Sequence, residues 1–92
     1  MLVQKPMFVK EWIIDKAQDT AARYNCYIDT EKREDGMGTK VSKDGFVKVY
    51  VLELLSETEK AVQVRLETGG VVGSNLGWKL WIPKSQMKAE WI

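Results

Sequence analysis

The side chains that most often do chemistry are thinly represented in this 92-residue chain. It has no histidine, so the commonest general base, the commonest metal ligand and the usual pH switch are missing together. Its one cysteine, Cys26, can form neither an internal disulfide nor a multi-thiolate zinc site. With no imidazole to activate that thiol, its neighbours Tyr24, Tyr27 and Ile28 point to packing instead of reactivity. The paired carboxylates Glu57 and Glu59 fall on a turn, where a solvated role is the ordinary one. Gly69 to Gly77 has the glycine content of a phosphate loop, but Gly77 is followed by Trp78, without the lysine and hydroxyl that contact phosphate and magnesium. Gly36-Met37-Gly38 lacks the third glycine of a dinucleotide fingerprint. Among Asp29, Glu31, Arg33 and Asp35, an arginine stands where a calcium loop needs an oxygen ligand. These patterns predict no catalytic residue, no cofactor and no metal, and the chain reads as a binding protein rather than an enzyme.

The aromatic residues are more informative. Of four tryptophans, three (Trp78, Trp81 and Trp91) lie in the last fifteen residues. On a strand over 78–82, Trp78 shares a face with Leu80 and Ile82 and is expected in the core. Trp81 shares the opposite face with Lys79, an arrangement that serves as a stacking platform for a base or an anchor for a protein partner. Arg65, Lys79, Lys84 and Lys88 add a modest basic strip around it, with Glu90 the one acid between 74 and 92. Phe8 and Trp12, read one helical turn apart, form a second candidate ridge for a partner. The candidate partner-binding residues are therefore Trp81, Lys79, Arg65, Lys84, Lys88, Phe8 and Trp12.

These residues must be positioned by one small domain spanning 1–92, because the chain has no room for a second core. An apolar fraction of 45% and a charged fraction of 29% are ordinary for a globular chain. Fourteen basic residues against thirteen acidic ones leave a net charge of +1, which excludes a strongly basic nucleic-acid binder and an acidic mimic of DNA. The N-terminus lacks the apolar core of a signal peptide, and nothing approaches the roughly 18 apolar residues of a membrane span. With a lone cysteine, this predicts a cytoplasmic location and no membrane contact.

Three segments are expected. A helix over about 7–24 starts near Pro6 and faces the core with Val9, Ile13, Ile14, Ala17, Ala21 and Tyr24, with Asn25 as its stop. Residues 30–45 carry four positive and four negative charges and three glycines, which predicts a mobile loop or a long hairpin tip. From 46 to 92 the pattern is β. It runs through a long strand over 46–55, an alternating strand over 61–67, a third strand ended by Pro83, a tight helical turn at 84–87 and a final short strand. The fold class is α+β, one N-terminal helix on a small, strongly bent antiparallel sheet of four or five strands, SH3-like or a similar small barrel.

Glu57-Thr58-Glu59-Lys60-Ala61-Val62-Gln63-Val64, followed by Leu80-Trp81-Ile82-Pro83-Lys84-Ser85-Gln86-Met87, resembles a module of small phage and prophage proteins with a TEKA…WIPKSQ signature. The resemblance covers about 56–88 and implies a mobile-element origin and a small barrel-like domain, without functional residues. The run Gly77 to Pro83, a turn and a last strand is similar to the end of SH3-like barrels, an analogy of fold alone. Together these readings predict a non-enzymatic binding module of phage origin that engages, and could inhibit, a protein partner. The alternative is a single-stranded nucleic-acid accessory protein using the aromatic and basic sheet face. A homodimer is compatible with either.

Overall fold

The computed structural model describes residues 5–70 and 77–92. Part of the glycine-rich stretch 69–77, and Met1 to Gln4, therefore lie outside the described residues. The elements in order are β1 (Lys5–Lys10), α1 (Glu11–Ala22), β2 (Cys26–Ile28), β3 (Phe46–Glu57), β4 (Ala61–Leu66), β5 (Thr68–Gly70), β6 (Trp78–Pro83), a 3-10 turn (Lys84–Gln86) and β7 (Met87–Lys88). The class is α+β, as expected: one helix and a five-stranded antiparallel sheet in the order β6-β4-β3-β1-β7, with β2 and β5 paired separately.

The sheet is curled by its own connectivity. Four steps of about 4.8 Å would set the edges of a flat sheet about 19 Å apart. Yet its two edge strands, β6 and β7, are joined only by the 3-10 turn between Pro83 and Met87. Four Cα steps reach at most about 14 Å even when fully extended, so the sheet must bend to bring its edges near each other. Register shifts in β3 between Val51 and Glu53 and between Leu54 and Ser56 interrupt the ladder with β4, irregularities of the kind that bend a strand. Among the described residues no ladder joins β6 to β7. The result is an open curl, compatible with an SH3-like barrel but not closed into one. The exposed edges are blunted by the two-residue length of β7 and by Pro83 at the end of β6.

The helix begins later than its periodicity predicts. Lys5 to Lys10 pair residue for residue with Phe46 to Val51, so Met7 and Val9 enter the core from a strand. The physical reason is the competition between two periods. Val9 and Ile13 are four apart, which reads as helix, but burying Met7 and Val9 together requires the two-residue repeat. Pro6 is tolerated within β1 because β7 reaches only Phe8 and Val9. Beside Pro6, its carbonyl accepts a 2.7 Å hydrogen bond from the Trp91 indole N–H instead. α1 starts at Glu11, whose N–H donates to the Gly45 carbonyl at 2.9 Å and whose carboxylate suits the positive helix end. Its buried face is Ile13, Ile14, Ala17 and Ala21. Tyr24, assigned to that face by periodicity, lies beyond the last turn and is 67% exposed, its ring 5.9 Å from Trp78. The helix stops at Ala22, short of the expected Asn25, which lies in the turn that follows with a left-handed backbone (φ 59°).

One core cluster joins the helix to the curl, with Met7, Val9, Ile13, Ile14 and Ala17 against Ile28, Val47, Val49, Val51, Val62, Val64, Leu66 and Ile82. Trp78, expected in this core, is half-buried at its margin with Leu80, Met87, Ala89 and Trp91. The charged segment 30–45 holds no named strand and is tied down by isolated bridges. Its bridges are Lys32 to Thr39, Thr30 to Val49 and Val41 to Val47, and the Thr30 and Thr39 hydroxyls meet at 3.0 Å.

β2 is pinned to α1 by a side chain that imitates a strand. The Gln18 amide donates to the Ile28 carbonyl at 2.8 Å and accepts from the Ile28 N–H at 2.9 Å. Gln18→Ala leaves both backbone groups without a partner in a part-buried position. The expected cost is about 1–3 kcal/mol, measured by chemical denaturation. Gln18→Glu restores the acceptor alone and is expected to recover part of the loss; a neutral Gln18→Ala would refute the strand-like role.

Candidate functional site

The structure does not hold the seven sequence-predicted residues at one place. Trp12 and Trp81, read as separate ridges, come together. Trp12, Lys16 and Thr20 recur every fourth residue along one exposed stripe of α1, and Trp81 and Pro83 of the edge strand β6 line the same groove. The groove, of about 400 Å³, is floored by Ile13, Ala17, Trp78 and Leu80. Trp12 is 58% and Trp81 48% exposed, so the groove is lined by two half-exposed tryptophans from elements far apart in sequence, with Lys16 also in its lining.

Phe8 does not join Trp12. As a strand residue it stands on the outer face of the sheet, 40% exposed, with Lys88 opposite on β7 and Lys48 opposite on β3. The expected Phe8–Trp12 ridge is thereby corrected: it required a helix through 7–24, and a strand followed by a helix sends the two side chains to different faces.

The basic strip is also dispersed. Arg65 and Lys79 face each other across β4 and β6, and Arg65 is bonded to Glu53 at 3.3 Å. Lys84 on the 3-10 turn lies 2.6 Å from Glu57, and Lys88 lies 3.5 Å from Asp44. Three of the four cations of the predicted strip thus have a carboxylate partner, which lowers their net pull on a phosphate chain. Counting cations along the sequence does not reveal this, since their partners come from β3 and the segment before it.

A second concentration of charge was not singled out from the sequence. Lys10 and Lys88 both place their ammonium groups 4.6 Å from the centre of the Phe46 ring, and Lys48 lies 5.8 Å from that of Tyr50. Glu31 bridges Lys40 at 3.1 Å and Lys48 at 3.4 Å. The hydrogen bond from Lys40 holds the Glu31 carboxyl below its ordinary value, over the opposing effect of desolvation and with Lys48 acting in the same direction. A lowered folded-state value means that this contribution to stability is present above the unfolded value and is lost as pH falls through the folded one. We expect the Glu31 carboxyl, followed by NMR, to titrate below the usual glutamate range, to move up in Lys40→Ala, and to move toward the ordinary value in 1 M salt, where screening acts over about 3 Å. A midpoint at or above the ordinary value would refute the bridge.

The described residues contain no group of three or more histidine, cysteine or acidic side chains that could hold a metal ion, and no helix long and apolar enough to cross a membrane. No family model, no curated protein and no solved structure matches this chain.

Proposed function

We propose that this protein is a non-enzymatic binding module of phage or mobile-element origin whose α1–β6 groove receives an apolar ridge of a protein partner. The observation that carries this reading is the convergence of Trp12 and Trp81, both about half exposed, on the rim of one apolar groove. Tryptophan is the residue most enriched at the energetic centres of protein interfaces, where a large rigid surface is buried at low entropic cost. The near-neutral charge of the chain and the apolar lining of the groove, in which Lys16 is the one cation among the described residues, favour a protein over nucleic acid at this place. The mobile-element origin rests on the resemblance of 56–88 to phage modules, and inhibition of the partner is one outcome such a module would have.

The test is affinity capture from bacterial lysate with and without nuclease, identification of the retained protein, and reconstitution from purified components. We expect a stoichiometric complex that survives nuclease, quenches or shifts tryptophan fluorescence, and is lost in both Trp12→Ala and Trp81→Ala. A reconstituted complex indifferent to both substitutions would refute the groove as its site.

A further inference from the structure

The outer face of β7, β1 and β3 alternates aromatic and cationic side chains in two directions. Along β1 the outward residues are Pro6, Phe8 and Lys10, because Met7 and Val9 are buried. Along β3 they are Phe46, Lys48 and Tyr50, because Val47, Val49 and Val51 are buried. The ladder sets Lys10 against Phe46, Phe8 against Lys48 and Pro6 against Tyr50, and β7 adds Lys88 on the far side of Phe8. Each ring on this face therefore has ammonium groups as neighbours, and Phe8 lies between two. Lys10 and Lys88 cover Phe46, which accounts for its burial on an outward position. Phe8 and Tyr50 keep exposed surface and are diagonal neighbours, a separation of about 7–8 Å between strands.

Phe8 also stands between two depressions. One, of about 740 Å³, is bordered by Lys5, Lys88 and Trp91, and the other, of about 340 Å³, by Lys40, Phe46 and Lys48. The face carries Lys5, Lys10, Lys40, Lys48 and Lys88 against Glu31, Asp44 and Glu90, a local excess of positive charge on a chain that is nearly neutral as a whole. An apolar protein ridge has no use for such a checkerboard. Stacked bases spaced along a flexible polyanion do, since every base presents a π-face and every linkage a negative charge.

We propose that this outer face binds single-stranded nucleic acid, with bases stacking on Phe8 and Tyr50 and phosphates taking the place of the Glu31 carboxylate at Lys48 and of the Asp44 carboxylate at Lys88. The surface is separate from the α1–β6 groove, and the proposal does not depend on the protein partner proposed for that groove. Edge-to-edge contact with duplex is disfavoured because the rings stand on a sheet face, where only unpaired bases can be laid flat.

The probe is a fluorescein-labelled dT20 oligonucleotide, followed by anisotropy against the full chain at 50–200 mM salt. We expect binding to dT20 in preference to the same length of duplex. Phe8→Ala should weaken it about tenfold, the effect of losing one stacked base, while Phe8→Tyr retains it. In Lys48→Ala/Lys88→Ala the salt slope should fall by about 1.4, the loss of two phosphate contacts at about 0.7 each on a single strand. Trp12→Ala/Trp81→Ala should leave the oligonucleotide affinity unchanged, so failure of the groove reading and of this one are distinguishable. Phe8 is a surface residue, and melting curves for each variant confirm the fold. No dT20 binding at 50 mM salt, equal binding to duplex or heparin, or full affinity in Phe8→Ala would each overturn the proposal.

Discussion

Leu66→Ala is expected to destabilise the protein by about 2–5 kcal/mol, the range found when a fully buried leucine is cut back in a core that cannot collapse around the cavity. Leu66 has no exposed surface, and its position leaves little freedom to relax. It pairs with Val51 on β3 and with Trp78 on β6, so three strands meet at this one residue. Directly beyond it the chain leaves the five-stranded sheet for β5 and its partner β2. Backbone movement to fill the cavity would have to break one of these ladders. The neighbouring backbone is similarly constrained. Gly77 has φ +74°, and a Cβ there would lie 2.9 Å from the Leu66 carbonyl and 2.5 Å from Arg65 Cγ. For a domain of this size each kcal/mol moves the midpoint of thermal unfolding by about 4–8 °C, so Leu66→Ala should lower it by roughly 8 °C or more. Calorimetry and denaturant titration together check this. A shift of a degree or two would mean that the three-strand junction is not a fixed point of the core.

The second large effect is on binding. Trp12→Ala and Trp81→Ala are each expected to weaken the protein complex at least about thirtyfold, the equivalent of the roughly 2 kcal/mol that marks an interface centre. Both rings already have about half their surface out of water, one resting on the helix side of the groove and one on the strand side. Truncation therefore removes a wall of the groove without opening the core, and both variants should melt within a few degrees of the parent. The two tryptophans line one groove, so the double variant is expected to lose less than the sum of the single losses. Titration calorimetry with the purified partner measures all three. Strictly additive losses would indicate two independent contacts, and unchanged affinity would place the partner elsewhere.

The later strands were readable because their signals are local. Ala61 to Leu66 alternates through Val62, Val64 and Leu66, all fully buried, and Pro83 followed by a tight turn is a stop written in backbone chemistry. Trp81 could be placed on the outside of β6 by parity with Lys79 alone. The first strand was not readable in the same way. Six residues, Lys5 to Lys10, run without a break into a genuine helix, and the apolar positions of both segments join into one apparent helical stripe. The alternation of Met7 and Val9 with Phe8 and Lys10 is the signal that distinguishes a strand there, and it spans too few residues to outweigh the longer pattern.

By itself the sequence determined the composition of the toolkit: no imidazole, one thiol, near-zero net charge, and a surplus of tryptophan near the C-terminal end. It also determined the class of fold, because a two-residue period and a turn residue act over a few bonds and need no partner to be recognised. Which side chains stand together was decided only by the tertiary structure. Trp12 and Trp81 line one groove because α1 packs beside the edge strand β6, and Phe8 sits between Lys48 and Lys88 because β1 is paired on both sides. Arg65, Lys84 and Lys88 find carboxylates on chain segments at least twelve residues away. Strand register and helix docking are set by burying one shared core, Met7 and Val9 with Val47, Val49 and Ile82. That cooperative choice is made by the whole chain at once, and no local stretch encodes it.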